Sequence, residues 1–107
     1  IVIQRGAACE VVLLSEIVYC EVQGRKLYLH RTDETVVDYY GRLEELARRV
    51  DRRFFQCHRS YLVNLDCVRG CQNGQVMLSG GMTIPVSRLR ERELMQALLT
   101  HMKERDF

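Results

Sequence analysis

The sequence predicts an antiparallel, strand-dominated domain with one internal helix and one terminal helix. Three observations carry this: short runs rich in β-branched and aromatic residues, glycine- or asparagine-bearing turns between them, and two separate switches to helical spacing. At 107 residues the chain suits one hydrophobic core and is too short for two. Apolar residues at 47% and charged residues at 28% are the composition of a folded chain rather than a disordered one.

Taken in order, Val11 to Leu14 is a short apolar run, and Ile17 to Val22 (IVYCEV) reads as a strand ending at the turn signal Gln23-Gly24. Lys26 to His30 alternates, with Leu27 and Leu29 on one face, which predicts a hairpin with Gly24-Arg25 at its tip. Asp33-Glu34 turns the chain into a further strand, Thr35 to Tyr39. Leu43, Leu46, Ala47 and Val50 then recur at i, i+3, i+4 and i+7, the apolar stripe of an amphipathic helix, with Arg42, Glu44, Glu45, Arg48 and Arg49 on its wet side.

Strand character resumes at Phe54 to Cys57 and again at Val68 to Cys71, which an Asn73-Gly74 hairpin turn joins to Gln75 to Leu78. Gly80-Gly81 leads into Met82 to Val86, where Pro85, unable to donate to a ladder, marks an edge or a strand end. Beyond Ser87 the spacing of Met95, Leu98, Leu99 and Met102 predicts the terminal helix, packed on its own sheet or on a neighbouring domain.

FFQCHRSYLVNLDCV, residues 54–68, sets a histidine, an arginine, a serine and an asparagine within a run that otherwise reads as buried strand. Unpartnered burial of such groups costs roughly 1 to 3 kcal/mol each, so they must be satisfied or exposed for a purpose. His58 and Asn64 are expected to bond backbone groups where the strand breaks into a turn. Phe54, Tyr61, Leu62, Val63 and Leu65 are expected in or near the core.

The net charge of +2 is small but unevenly spread. Residues 39–90 hold nine basic side chains (Arg42, Arg48, Arg49, Arg52, Arg53, Arg59, Arg69, Arg88, Arg90) against four acidic ones (Glu44, Glu45, Asp51, Asp66). Only Lys26 and Lys103 among the 16 basic residues are lysine. Arginine's planar fork meets phosphates and guanine edges bidentately, which makes a polyanion partner plausible.

Other chemistries find little support. Among the five cysteines (Cys9, Cys20, Cys57, Cys67, Cys71), no paired two-residue spacing exists and His58 is the one nearby histidine, so free thiols in apolar surroundings are expected and no metal site. Glycine-rich phosphate loops, HExxH and GxSxG are missing, and Cys57 and His58, neighbours on a strand, point to opposite faces; an enzyme is not expected. No apolar run approaches the roughly 20 residues that span a bilayer, and no secretory signal opens the chain, so a cytoplasmic protein without membrane association is expected.

Phe54, His58-Arg59-Ser60, Val63-Asn64 and the later Pro85-Val86-Ser87-Arg88 together strongly resemble the LytTR family of bacterial DNA-binding domains, with its F-x-R-x-H-R-S-x-x-V-N-L and P-V-S-R motifs. Ile17, Tyr19 and Glu21 in the first hairpin and Leu43 and Leu46 in the helix extend the likeness across about Val11 to Met102. One departure is Gln56, where the family pattern has arginine; a phosphate contact is weakened or lost there.

The resemblance implies an elongated stack of small antiparallel β-sheets that is the output domain of a response regulator. Its loops would enter successive major grooves of double-stranded DNA at promoter direct repeats, an arrangement open to a dimer on DNA. Because Ile1 rather than methionine opens the chain, a longer parent with an N-terminal receiver domain is expected, residues 1–10 ending the linker and residues 11–107 forming the DNA-binding domain. Mapped onto the turns, the likeness makes Arg25, Arg59 and Arg88 the base-proximal residues and Lys26, Arg42, Ser60 and Arg90 the phosphate contacts, with no cofactor. The competing reading is a protein-interaction or dimerisation module that docks through the Met/Leu face of the terminal helix.

Overall fold

The computed structural model describes residues 1–106. Ten strands form three antiparallel sheets. A hairpin of β1 (Val2–Arg5) and β2 (Ala8–Val11) precedes a five-stranded sheet made of β3 (Ile17–Gln23), β4 (Lys26–Arg31), β5 (Val36–Tyr40), β6 (Phe54–His58) and β7 (Tyr61–Asn64), in the order β5-β4-β3-β7-β6. The third sheet, β8 (Val68–Gln72), β9 (Gln75–Leu78) and β10 (Thr83–Pro85), has β10 at an edge, where Pro85 costs no ladder bond. Helix α1 (Leu43–Arg49) links β5 to β6, and α2 (Glu91–Asp106) closes the chain. The molecule is elongated, 42 × 32 × 25 Å, as expected of a stack of small sheets.

Two cores lie on opposite faces of the five-stranded sheet. Alternation along β7 sends Leu62 into one and Val63 into the other. The first joins Cys20, Leu27, Leu29 and Leu62 to Leu43 and Leu46 of α1 and to Ile3 of the β1–β2 hairpin. The second joins Cys57, Val63 and Leu65 to Val76, Leu78 and Ile84 of the third sheet and to Leu94 of α2. A register shift between Ile17 and Tyr19 turns both Val18 and Tyr19 toward this second core.

Several details differ from expectation. Residues 1–10, read as the end of a linker, carry a regular hairpin whose Ile3 is 3% exposed in the first core. Spacing alone hides this because VIQR and ACEV are too short and polar to read as strands. In α2 the apolar residues divide: Leu94, Ala97 and Leu98 face inward, while Met95, Leu99 and Met102 form an exposed stripe. Cys20, Cys57 and Cys67 are buried among apolar groups, as expected, but Cys9 is exposed. Burial pushes the Cys57 thiol up to about 12, so it is a neutral thiol rather than a nucleophile.

Candidate nucleic-acid interface

Topology brings four chain segments to one end of the five-stranded sheet. Gln23 pairs with Lys26, so Gly24-Arg25 is a two-residue turn; Gly24 at φ 60° supplies the left-handed first position of a type II′ hairpin. His58 pairs with Tyr61, which makes Arg59-Ser60 the corresponding turn of β6–β7. Because β3 and β7 run antiparallel, with Glu21 opposite Tyr61 and the Val22 N–H donating to the Ser60 carbonyl at 3.0 Å, the two turns lie side by side. The end of β5 joins them through the Gly41 N–H, which donates to the Arg25 carbonyl at 3.1 Å. The fourth segment follows β10: the Ser87 N–H donates to the Cys57 carbonyl at 2.9 Å and the Cys57 thiol to the Pro85 carbonyl at 3.5 Å, holding the short 3-10 turn Arg88–Arg90 beside the end of β6.

Arg25, Arg42 and Arg59 line one open groove together with Tyr40, Glu44 and Glu45. Arg88 stands on the adjoining segment, outside the lining of that groove. All four are exposed, and among the described residues none has a carboxylate partner. Arg5, Arg31, Arg53 and Arg105, elsewhere on the molecule, all hold ion pairs. Arg48, Arg49, Arg69 and Arg92 likewise have no carboxylate partner among the described residues; Arg49 lines a separate groove with Tyr39 and Tyr40, and Arg92 one with Cys71 and Met95. A guanidinium committed to neither carboxylate nor core has no internal bond to break when it meets an outside acceptor.

The remaining candidates differ. Lys26 Nζ donates to Asp38 Oδ2 at 3.2 Å and lies 5.2 Å from the centre of the Tyr40 ring, so an internal partner already engages it. The hydrogen bond to Asp38, with that residue's charge, pushes Lys26 up and draws the Asp38 carboxyl down. Arg90 keeps a long pair with Glu93 at 3.9 Å. Ser60 is half-buried, with its backbone in the turn.

Polar groups within the opening motif hold the turn. The Ser60 N–H donates to His58 Nδ1 at 3.0 Å. Asn64, 1% exposed, donates from Nδ2 to the Ile17 carbonyl at 2.8 Å and accepts the Asp66 N–H at Oδ1 at 2.9 Å, so one side chain ties β7 to the start of β3 and caps the next turn. Beneath Arg59-Ser60 runs an aromatic stack: the His58 ring meets Tyr61 edge-on at 5.6 Å, Tyr61 lies 6.1 Å from Tyr19, and Tyr19 stacks on His30 at 4.1 Å. His30 Nε2–H donates to Glu21 Oε1 at 3.0 Å and fixes the far end of that stack. Sequence reasoning passed over Tyr40, Asp38 and this stack; the doubled tyrosine before Gly41 breaks the alternation of β5 and was the available signal.

The family model of the LytTr DNA-binding domain matches residues 8–99. The chain belongs to the LytTR family. It is similar to the sensory transduction protein LytT of Oceanobacillus iheyensis, 32% identical over 92 residues that make up 78% of this chain and 37% of that protein. It is also similar to the accessory gene regulator protein A of Staphylococcus epidermidis, 35% identical over 64 residues, 58% of this chain and 26% of that protein. The chain thus spans well under half the length of these relatives. A solved LytTr DNA-binding domain of a putative methyl-accepting/DNA response regulator from Bacillus cereus shares the fold at TM-score 0.75 and 20% identity, covering 92% of this chain and 94% of that one. The expected family and fold class are therefore both correct. No helix among the described residues is long and apolar enough to cross a membrane.

Proposed function

We propose that this LytTR domain reads double-stranded DNA by sequence, as the output domain of a bacterial transcriptional regulator. Arg25, Arg59 and Arg88 make the base-proximal contacts, each good bidentate pair being worth roughly 1 to 3 kcal/mol of discrimination. Arg42, Ser60 and Arg90 position phosphates. Lys26 joins them only by exchanging Asp38 for a phosphate. One observation carries the reading: unpaired arginines stand on separate short turns gathered at a single end of the sheet. Turns closed by backbone bonds present side chains with little ordering entropy left to lose, which suits readout of successive major grooves.

The parent protein carries a receiver domain on the N-terminal side, resides in the cytoplasm, and acts at promoter direct repeats, where two copies sit in tandem. Its role is binding and not catalysis. Selection of bound sites from a random duplex library tests this: recovery of a repeated short element is expected. Retention no better than that of an acidic control protein would leave the competing reading, a protein-interaction module, which draws on the exposed stripe Met95, Leu99 and Met102.

A further inference from the structure

Leu89 is 88% exposed, more than any other large hydrophobic side chain among the described residues. It occupies the centre of the 3-10 turn Arg88–Arg90, between the two arginines. This is no frayed tip: the Arg90 N–H donates to the Ser87 carbonyl at 2.9 Å, the Ser87 N–H to the Cys57 carbonyl at 2.9 Å, and the Val86 N–H to the Gly74 carbonyl at 3.0 Å. A leucine held rigidly in water, with a free guanidinium beside it, forfeits apolar burial unless a partner supplies it.

We propose that Leu89 is a specificity-determining residue that packs on the C5-methyl group of a thymine in the major groove, beside the base contacted by Arg88. This rests on the DNA-reading role proposed above and adds to it one base identity. Thymine is the one base presenting a methyl group in that groove, and an aliphatic side chain is the complement that rewards it. The groove is the major one because the fork of the neighbouring Arg88 matches a guanine edge there, whereas the minor groove shows no methyl.

Deoxyuridine supplies the test, since it pairs as thymine does and lacks only the methyl. Each thymine of a bound duplex is replaced in turn, and affinity is measured for the unaltered protein and for Leu89→Ala, a change at an exposed position that leaves the fold intact. One replacement is expected to weaken the unaltered protein by about fourfold, the value of one buried methyl group. Leu89→Ala should lose a similar factor on the thymine duplex and be indifferent to that replacement. Neutral replacement at every thymine, or an equal loss in Leu89→Ala, overturns the proposal, as does altered DNA bending in Leu89→Ala without a deoxyuridine effect. If bound and scrambled duplexes are still told apart, only the Leu89 contact fails. If they are not, the DNA-reading role fails with it.

Discussion

His58 Nδ1 accepts the backbone N–H of Ser60 at 3.0 Å, closing the turn that displays Arg59. The motif histidine therefore shapes the loop while its neighbour faces solvent. Replacing His58 with alanine removes the acceptor and should cost about 1 kcal/mol of stability together with several-fold in DNA affinity. His58→Asn, whose side-chain oxygen can accept the same bond, should recover much of both. Denaturation midpoints and binding curves for the two variants check this; an alanine variant with full affinity would contradict it.

Asn64 is the one buried polar residue among those described, and both ends of its amide are used. Asn64→Ala leaves the Ile17 carbonyl and the Asp66 N–H without their partner, a loss of about 2 kcal/mol. Asn64→Asp should be worse, because a carboxylate oxygen would face the Ile17 carbonyl. Urea midpoints measure the order, and affinity per folded molecule should change little.

A carboxylate latches the terminal helix: Asp66 Oδ1 accepts from His101 Nε2 at 2.5 Å and from Arg105 at 2.9 Å. Burial alone would raise the Asp66 carboxyl, but the His101 hydrogen bond and the nearby positive charges outweigh it and hold the group below the usual range. The unfolded chain therefore takes up this proton first as pH falls. Stability from the latch is complete above about pH 4 and is lost as pH drops through the lower folded value. Asp66→Asn should melt earlier at pH 7 and lose less than the unaltered protein between pH 7 and pH 3. Parallel acid-side losses in thermal melts would rule the latch out.

Lys26 is held by Asp38 at 3.2 Å. Freeing it with Asp38→Asn should strengthen binding to any duplex and make the salt dependence steeper by up to about one unit of slope. Lys26→Ala should weaken binding less than Arg42→Ala does. Titrations at several salt concentrations decide between these outcomes.

Much of this was legible in the sequence because local chemistry and tertiary structure agree. Gly24-Arg25 and Asn73-Gly74 are turn signals, with Gly24, Asn73 and Gly74 taking left-handed φ values, and the α1 stripe buries Leu43 and Leu46. The polar interruption at His58 to Asn64 resolves into a second tight hairpin with satisfied side chains. What stayed hidden depends on neighbours distant in sequence. Ile3 is buried only because a hairpin folds back onto the first core, and Lys26 is engaged only because β5 places Asp38 opposite Tyr28, two residues along β4 and on the same face. Likewise, which side of α2 faces inward is set by packing against the second core, including β6, and not by the spacing of its apolar residues.

Discrimination between a bound site and a scrambled duplex, measured for the unaltered protein, Arg59→Ala, Arg88→Ala and Arg42→Ala, tests most directly whether gathered turns read bases. Arg59→Ala and Arg88→Ala should each flatten the preference by roughly 1 to 3 kcal/mol, while Arg42→Ala should weaken both duplexes equally and make the salt slope shallower by about one. Equal losses on both duplexes from all three variants would contradict the account and leave a binder of polyanions without sequence preference.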